Sequence, residues 1–308
     1  MSGATSRSDR VPAIPFTRGF LLALAAGLAA AAILSPLAAS AVAALAMRFP
    51  FPRIFDRTVM LTLAAALYLM ARRLRLAALL CQGFANPREG LGLAVRGFAL
   101  GTIAIAALVA LAVGFGGHLA SSLNPGLRLV NYVAGALAIG IIEEGFFRAF
   151  LLAGMETDFG RGGALFTSSA IYAVAHIVRS PARFFVTGID PTIGFRTLAM
   201  CFERLLHPWD ALPGLLGLFL LGVALGAAFL ATRRVYFSIG LHAGLVLGAK
   251  LWPFASGPAG GVPRLIAGFG SPPLISGPAA WLLALGIIAL NPILRRRSSR
   301  PAQGTSQR

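Results

Sequence analysis

The chain has 308 residues, of which 57% are hydrophobic and only 12% are charged, about half the charged fraction of a typical soluble domain. A single soluble core of this length could not bury so much apolar surface, so the composition excludes an ordinary soluble fold and indicates helices in lipid. The net charge of +17 comes almost entirely from arginine. These arginines lie beside or between long apolar runs, as contact with lipid headgroups requires, and we therefore expect no nucleic-acid partner.

Apolar runs of helical length follow one another along the chain and predict an all-α fold, a polytopic transmembrane helical bundle of about eight spans. The first run contains Pro36 and is expected to be kinked or broken there. The stretch from Phe195 to Leu206 has apolar residues at helical spacing and predicts an amphipathic helix at the membrane interface. The predicted spans are 19–47, a run that ends at Met70, 97–117, a run from Arg128 through residue 148, 163–178, 211–231, 236–252 and 278–294.

These spans divide the chain into four predicted segments. A cytoplasmic basic tail occupies 1–18, N-terminal spans with an interfacial segment occupy 19–127, a core with polar residues inside its spans occupies 128–252, and the last span with a basic tail occupies 253–308. The segments on the side of the two termini contain more arginines than those on the other side. Because cytoplasmic loops carry an excess of basic residues, this predicts that both termini are cytoplasmic. The composition is typical of bacterial chains, so we expect the bacterial inner membrane.

Two adjacent acids, Glu143 and Glu144, lie inside an otherwise apolar helical run. An ionised carboxylate near the middle of a bilayer costs roughly 2.5–3.5 kcal/mol on insertion scales, so such a pair indicates a functional site. Arg148 follows Glu144 by four residues, which puts the two on one face of an α-helix with the acid first. Glu143 points about 100° away on a regular helix. The pattern therefore predicts one carboxylate held by arginine and one left as a base.

Two histidines, His176 and His242, lie within two other predicted spans. Tyr172 precedes His176 by four residues and is expected to pack or bond beside it on the same helix face. A carboxylate, two imidazoles and an arginine that converge inside a bundle would suit the activation of water.

These residues form three motifs, in order, on three separate predicted spans. They are Glu143-Glu144-x-x-x-Arg148, Tyr172-x-x-x-His176 and a third motif headed by His242. Together they resemble the CAAX protease and bacteriocin-processing family, often labelled CPBP or Abi, which includes the Ras-converting prenyl-protein endopeptidases. The resemblance covers about residues 130–250 and makes 128–252 the expected catalytic core.

The resemblance implies an intramembrane endopeptidase that acts on a membrane-associated peptide or protein. In that family the first glutamate and the second-motif histidine hold and activate a water molecule, which implies this role for Glu143 and His176. The third-motif histidine stabilises the oxyanion, which implies that role for His242. The supporting residues implied by the motifs are Glu144, Arg148 and Tyr172.

One position departs from the family pattern. The family has an asparagine four residues after the third-motif histidine, and this chain has Val246 there. Valine has no hydrogen-bond donor, and the loss of one oxyanion donor costs about 2.7–4 kcal/mol in other enzymes. The oxyanion would therefore depend on His242 alone or on another donor.

Zinc is a chemical alternative, since two histidines and a glutamate are a known ligand set in hydrolases. The chain has no H-E-x-x-H spacing, and Glu143 and Glu144 cannot both face one ion from a regular helix. We expect no cofactor and a metal-free, glutamate-based mechanism; a metal-dependent variant stays open.

Two further functions compete with a peptidase. A non-catalytic membrane scaffold or a peptide- or lipid-binding protein would keep the polar pocket, and Val246 favours this alternative. A proton-coupled transporter would use similar residues but is expected to have broken helices in paired halves, and the sequence has no such symmetry. A buried ion-pair network that only fixes helix register is the structural alternative for the first motif.

Overall fold

A computed structural model describes residues 14–114, 126, 128–186, 190–255 and 275–298, and the described chain is helical without a strand. The helices are α1 (Phe16–Ala44), α2 (Phe51–Met70), α3 (Leu76–Gly83), α4 (Pro87–Gly114), α5 (Arg128–Glu144), α6 (Ala153–Ile177), α7 (Ile193–Cys201), α8 (Pro208–Thr232), α9 (Tyr236–Ala255) and α10 (Pro278–Ser298). A π-helical segment, Gly145–Leu152, joins α5 to α6, and a 3₁₀ turn, Glu203–Leu206, precedes α8.

The predicted helical membrane bundle is confirmed. Three described helical stretches are long and apolar enough to cross a bilayer, namely Phe16–Ala44, Pro87–Leu111 and Pro208–Thr232. Shorter apolar helices cover Tyr236–Leu251 and Pro278–Leu290. The total of about eight spans therefore stays a prediction.

The described helices differ from the predicted ones in several places. The α1 helix continues through Pro36, so the break considered at that proline is wrong. The helix predicted from Phe195 to Leu206 is present as α7 and the following 3₁₀ turn, and it begins two residues earlier than expected. Its place at the membrane interface stays a prediction. The predicted span 163–178 belongs to α6, which has a non-helical residue at Gly160, with φ 65° and ψ 179°. Residues 1–13 of the predicted N-terminal tail and 299–308 of the C-terminal one lie outside the described residues.

The chain forms two compact units. One comprises Met1–Ala77 with Ser180–Cys201, and the other comprises Ala78–Arg179 with Phe202–Arg308. The four segments proposed from the sequence have other boundaries, since 19–127 and 128–252 each include residues of both units. They stay a proposal. All the motif residues belong to the second unit.

In the first unit, α7 packs closely against α1. Pro36 has no N–H to donate to the carbonyl of Ala32, one helical turn earlier. Gly194 of α7 lies against that carbonyl so closely that a Cβ on residue 194 would collide with it. Glycine is therefore required at this contact, where the proline leaves the carbonyl accessible.

In the second unit, glycines bring α4 and α9 together along most of their lengths. A Cβ on Gly101 would lie 2.6 Å from the carbonyl oxygen of Leu241, and one on Gly244 would lie 2.7 Å from that of Phe98. Such small-residue contacts let helix backbones approach closely in a membrane. The close packing fixes α9, the helix that carries His242.

The other face of α9 packs against α5. A Cβ on Gly140 would lie 3.0 Å from the carbonyl oxygen of Ile239. This approach brings the end of α5, with both glutamates, beside the middle of α9. Helices α6, α8 and α10 complete the unit, with α8 packed against both of the others.

Candidate functional site

The acidic motif lies where α5 changes into the π-helical segment. Glu144 is the last residue of α5, and Arg148 lies within the π-helical segment. The regular α-helix expected through Arg148 is therefore wrong from Gly145 onwards. π-Helical turns are rare and occur frequently at functional sites, and the sequence pattern carried no signal for this one.

Glu144 and Arg148 form a buried ion pair. Arg148 Nε lies 3.3 Å from Glu144 Oε2, and the two side chains are 1% and 0% exposed. The guanidinium group of Arg148 also lies over the ring of Tyr172, 4.9 Å from its centroid. The carboxylate of Glu144 is thus paired with a cation, and neither group reaches the protein surface.

The other oxygen of Glu144 meets His242. The distance from His242 Nδ1 to Glu144 Oε1 is 2.8 Å, a hydrogen bond in which the imidazole N–H donates to the carboxylate. Arg148, Glu144 and His242 therefore form a buried chain, and we call these three residues the buried chain. Its end, His242 Nε2, lies 3.9 Å from Glu143 Oε2.

Glu143 and His176 form the second part of the site, which we call the accessible pair. Glu143 Oε2 lies 3.2 Å from His176 Nε2, and the side chains are 27% and 28% exposed. His176 Nδ1 lies 2.8 Å from the backbone carbonyl of Tyr172. Because a carbonyl only accepts, Nδ1 carries a proton, and a neutral His176 presents an unprotonated Nε2 to Glu143. With a neutral His176, Nε2 and the carboxylate of Glu143 are therefore both acceptors.

Both glutamates reach the same imidazole from neighbouring positions in the sequence. Glu144 approaches the Nδ1 side of His242, and Glu143 approaches the Nε2 side. This arrangement agrees with the expectation from the sequence. Glu144 is the carboxylate held by Arg148, and Glu143 lies apart from that ion pair.

Aromatic rings fill the space behind the imidazoles. The ring centroids of Tyr172 and His176 are 4.1 Å apart, so Tyr172 packs beside His176 as expected. Phe147 meets Tyr172 edge to face at 5.0 Å, and its ring centroid lies 6.2 Å from that of His176. Sequence reasoning did not single out Phe147, because a phenylalanine in an apolar helix is an ordinary core residue.

A cavity of about 280 Å³ opens beside these residues. Its polar wall is formed by Glu143, Tyr172, His176 and His242, and the rest is apolar, with contributions from α8 and α10. Val246 lines the cavity one helical turn after His242. An apolar cavity with a few convergent polar groups is typical of a ligand or substrate site. Sequence reasoning missed the parts of the wall from α8 and α10, since neither carries a motif.

Within the described ranges, His, Cys, Asp and Glu side chains form no group of three or more that could hold a metal ion. Glu144, the second acid, is already paired with Arg148 and His242.

The fold and the site define a helical membrane protein with an acid–imidazole centre at an apolar cavity. Residues 125–247 match the family described as "Type II CAAX prenyl endopeptidase Rce1-like". The resemblance inferred from the three motifs is thereby confirmed over the segment that contains them, and it indicates a membrane protease. No curated protein and no solved structure matches the chain.

Proposed function

We propose that this chain is an intramembrane endopeptidase that hydrolyses a peptide bond with a water molecule activated by Glu143 and His176. The observation that carries the proposal is the accessible pair, in which Glu143 Oε2 lies 3.2 Å from His176 Nε2 at the wall of the cavity. The hydrogen bond from His176 Nδ1 to Tyr172 directs Nε2 towards the carboxylate. A water on the cavity side that binds to both of these atoms would have a base and an orienting imidazole.

The reaction needs one proton transfer in each direction. Glu143 takes a proton from the water as the water oxygen bonds to the carbonyl carbon of the substrate. The protonated Glu143 then gives that proton to the amide nitrogen as the carbon–nitrogen bond breaks. The products are a carboxylic acid and an amine, and Glu143 returns to its starting state.

His242 is proposed to stabilise the oxyanion of the tetrahedral intermediate. Its Nδ1–H donates to Glu144, so Nε2 can donate to an oxyanion only when the ring carries both protons. The carboxylate of Glu144 supports that form of the ring, and Arg148 balances the charge of Glu144. Glu144 and Arg148 thus support the reaction without contact with the substrate.

The proposed substrate is a peptide segment of a membrane-associated protein. The cavity is mostly apolar, so an apolar side chain or a lipid-modified residue would fill it with a gain from burial. The family description names a prenyl endopeptidase of the CAAX type, which makes a prenylated carboxyl-terminal peptide one substrate to assay.

We further propose that the protein resides in a bacterial inner membrane with both termini in the cytoplasm. The sequence supports this orientation through the arginines between the spans and the Arg295-Arg296-Arg297 run near the end of the chain. Attachment of a reporter enzyme to each terminus would measure it, since alkaline phosphatase is active only outside the cytoplasm.

A non-catalytic peptide- or lipid-binding protein is the second candidate function. Val246 favours it, because the side chain lines the cavity where a donor would assist His242. Such a protein would bind a membrane peptide in the same cavity, and no product would form.

The test compares membrane peptides from bacterial cells that express the wild type, Glu143→Gln or His176→Ala. Mass spectrometry of small peptides is expected to find products with the wild type that both variants lack. Glu203→Gln is the matched control, because it is the same substitution at an exposed site outside the cavity. All four proteins are compared at equal abundance and with the same thermal stability in detergent.

The outcomes separate the two functions. Products that need Glu143 and His176, and persist with Glu203→Gln, support the peptidase and also reveal its substrate. The same peptides from all four strains would contradict the peptidase and favour the binding protein.

A further inference from the structure

Lys250 is the single lysine of the chain and lies within the apolar helix α9. A cation inside an apolar span is costly, so such a residue indicates a partner or a function. Among the residues that the structure describes, no carboxylate forms an ion pair with it. It belongs to none of the three motifs and lies beyond the segment that matches the family, 125–247.

The ammonium group of Lys250 lies against α5. Lys250 Nζ is 5.7 Å from the ring centroid of Tyr132, within the range of a cation–π contact. It is also 3.5 Å from the position that a Cβ would take on Gly135, so the glycine leaves room beside the charge. The face of a ring attracts a cation but does not neutralise it. The ammonium therefore keeps its positive charge and its N–H donors for an anion.

The helix faces that lead to this ammonium also line the cavity. On α9, Val246 lines the cavity one turn after His242, and Lys250 follows one turn further on the same face. On α5, Ile139 lines the cavity, and Gly135 lies one turn before it. Both helices thus connect the polar wall of the cavity to the position of the ammonium.

The distance from the catalytic groups follows from the helix geometry. Gly135 precedes Glu143 by eight residues and Lys250 follows His242 by eight, so each helix separates the two levels by about 12 Å. Helical side chains lean towards the N-terminus, which brings the carboxylate of Glu143 towards Gly135 and reduces this to on the order of 10 Å. Three residues of an extended peptide span about 10–11 Å. A peptide bond held at Glu143 would therefore have a group three residues later beside the ammonium.

We propose that Lys250 binds the terminal carboxylate of the substrate, about three residues after the bond that is cleaved. The position of that bond rests on the proposed function. A terminal carboxylate that enters a mostly apolar cavity needs a charged donor, and Lys250 supplies one at the required spacing. The site would select peptides with a free carboxyl terminus at this distance. The phosphate of a lipid headgroup is the competing anion, because lysines in membrane helices also extend to the interface.

The first test compares two synthetic fluorescent peptides, each with a prenylated cysteine followed by three apolar residues. They differ only at the end, which is a free carboxylate in one and a carboxamide in the other. Titration of full-length Glu143→Gln protein in lipid keeps both peptides intact and measures Kd. The free acid is expected to bind about tenfold more tightly or better, as a hydrogen bond to a charged group does. Equal Kd values would overturn the proposal and favour the lipid headgroup.

The second test changes the cation. Lys250→Met keeps an unbranched side chain beside Tyr132 and is expected to remove the difference between acid and amide, whereas Lys250→Arg is expected to keep most of it. Arg96→Met is the matched control, because Arg96 is an exposed cation of α4 outside the cavity, and it is expected to keep the full difference. In the active enzyme, Lys250→Met should raise KM for the acid about tenfold with kcat unchanged. Equal weakening of both peptides by Lys250→Met would mean a structural role and would overturn the proposal.

The third test measures the spacing. A second pair of peptides has six residues after the prenylated cysteine, and it is expected to show no difference between acid and amide because the carboxylate lies beyond the ammonium. A difference as large as that of the short pair would overturn the assigned spacing. A wild type that cleaves neither short peptide would contradict the proposed peptidase alone, and the Kd values would still decide the role of Lys250.

Discussion

Two adjacent glutamates in this protein have opposite surroundings. Glu144 belongs to the buried chain, where Arg148 and His242 occupy both of its oxygens and no part of it is exposed. Glu143 belongs to the accessible pair, where its partner is His176 and about a quarter of the side chain is exposed at the cavity. The contrast shows that the two carboxylates have different roles at this charged site in a membrane. One carboxylate balances charge and holds a ring, and the other is available to a ligand.

The largest expected effect is on folding and concerns the buried chain. Arg148→Met keeps an unbranched side chain over Tyr172 but removes the cation beside Glu144. Loss of one partner from a buried ion pair leaves an uncompensated charge and is expected to cost about 3–5 kcal/mol of stability. Denaturation in detergent, followed by circular dichroism, would measure the loss.

The double variant Arg148→Met with Glu144→Gln is the control for this loss. It removes both charges, so it is expected to be more stable than Arg148→Met alone. A single variant as stable as the wild type would show that the ion pair does not hold this part of the fold.

The next largest effect separates the two histidines. His176→Ala is expected to lower cleavage at least a hundredfold, as the loss of a general acid–base group does, with little change in Tm. His242→Ala is expected to lower cleavage and stability together, because Glu144 Oε1 loses its donor in a buried place at a cost of about 1–3 kcal/mol. Cleavage rates and melting curves of the two purified variants would be compared. If the two variants lost equal stability, His242 would not differ from His176 in its contribution to the fold, which would contradict the division into a buried chain and an accessible pair.

A gain of activity is expected at Val246. An amide at this cavity-lining position would add a donor one turn after His242, so Val246→Asn is expected to raise kcat about tenfold or more. Val246→Leu is the control, since it changes the volume without a donor. If the asparagine variant cleaves no faster than the leucine variant, His242 stabilises the oxyanion without help from this position.

The smallest effect is expected at an ion pair whose residues do not line the cavity. Arg233 Nη2 lies 3.0 Å from Glu156 Oε1, with the arginine side chain 45% exposed. Exposed ion pairs contribute about 0–1 kcal/mol, so Arg233→Ala should shift the stability by no more than this and leave cleavage unchanged. A loss as large as that of Arg148→Met would mean that burial is not what distinguishes the two arginines.

The sequence predicted the members of the site better than their arrangement. Glu143, Glu144 and Arg148 were evident because a charge inside an apolar run is costly and therefore informative. The helical repeat of four residues predicted the contact between Glu144 and Arg148, and the same repeat predicted the packing of Tyr172 beside His176. The catalytic roles of these residues stay proposals.

Other features have no local signature. The π-helical segment after Glu144 looks like any apolar helix in sequence, and the approach of both glutamates to His242 depends on how α9 packs. Such features arise from contacts between segments that are distant in the chain, which no periodicity records.

The most direct measurement is the rate of peptide cleavage by purified Glu143→Gln protein in lipid, beside the wild type and Glu203→Gln. The account predicts that Glu143→Gln binds the substrate, folds as the wild type does and forms no product, because the amide cannot take a proton from water. Glu203→Gln is expected to cleave at the wild-type rate. Cleavage by Glu143→Gln at that same rate would contradict the claim that Glu143 activates the water.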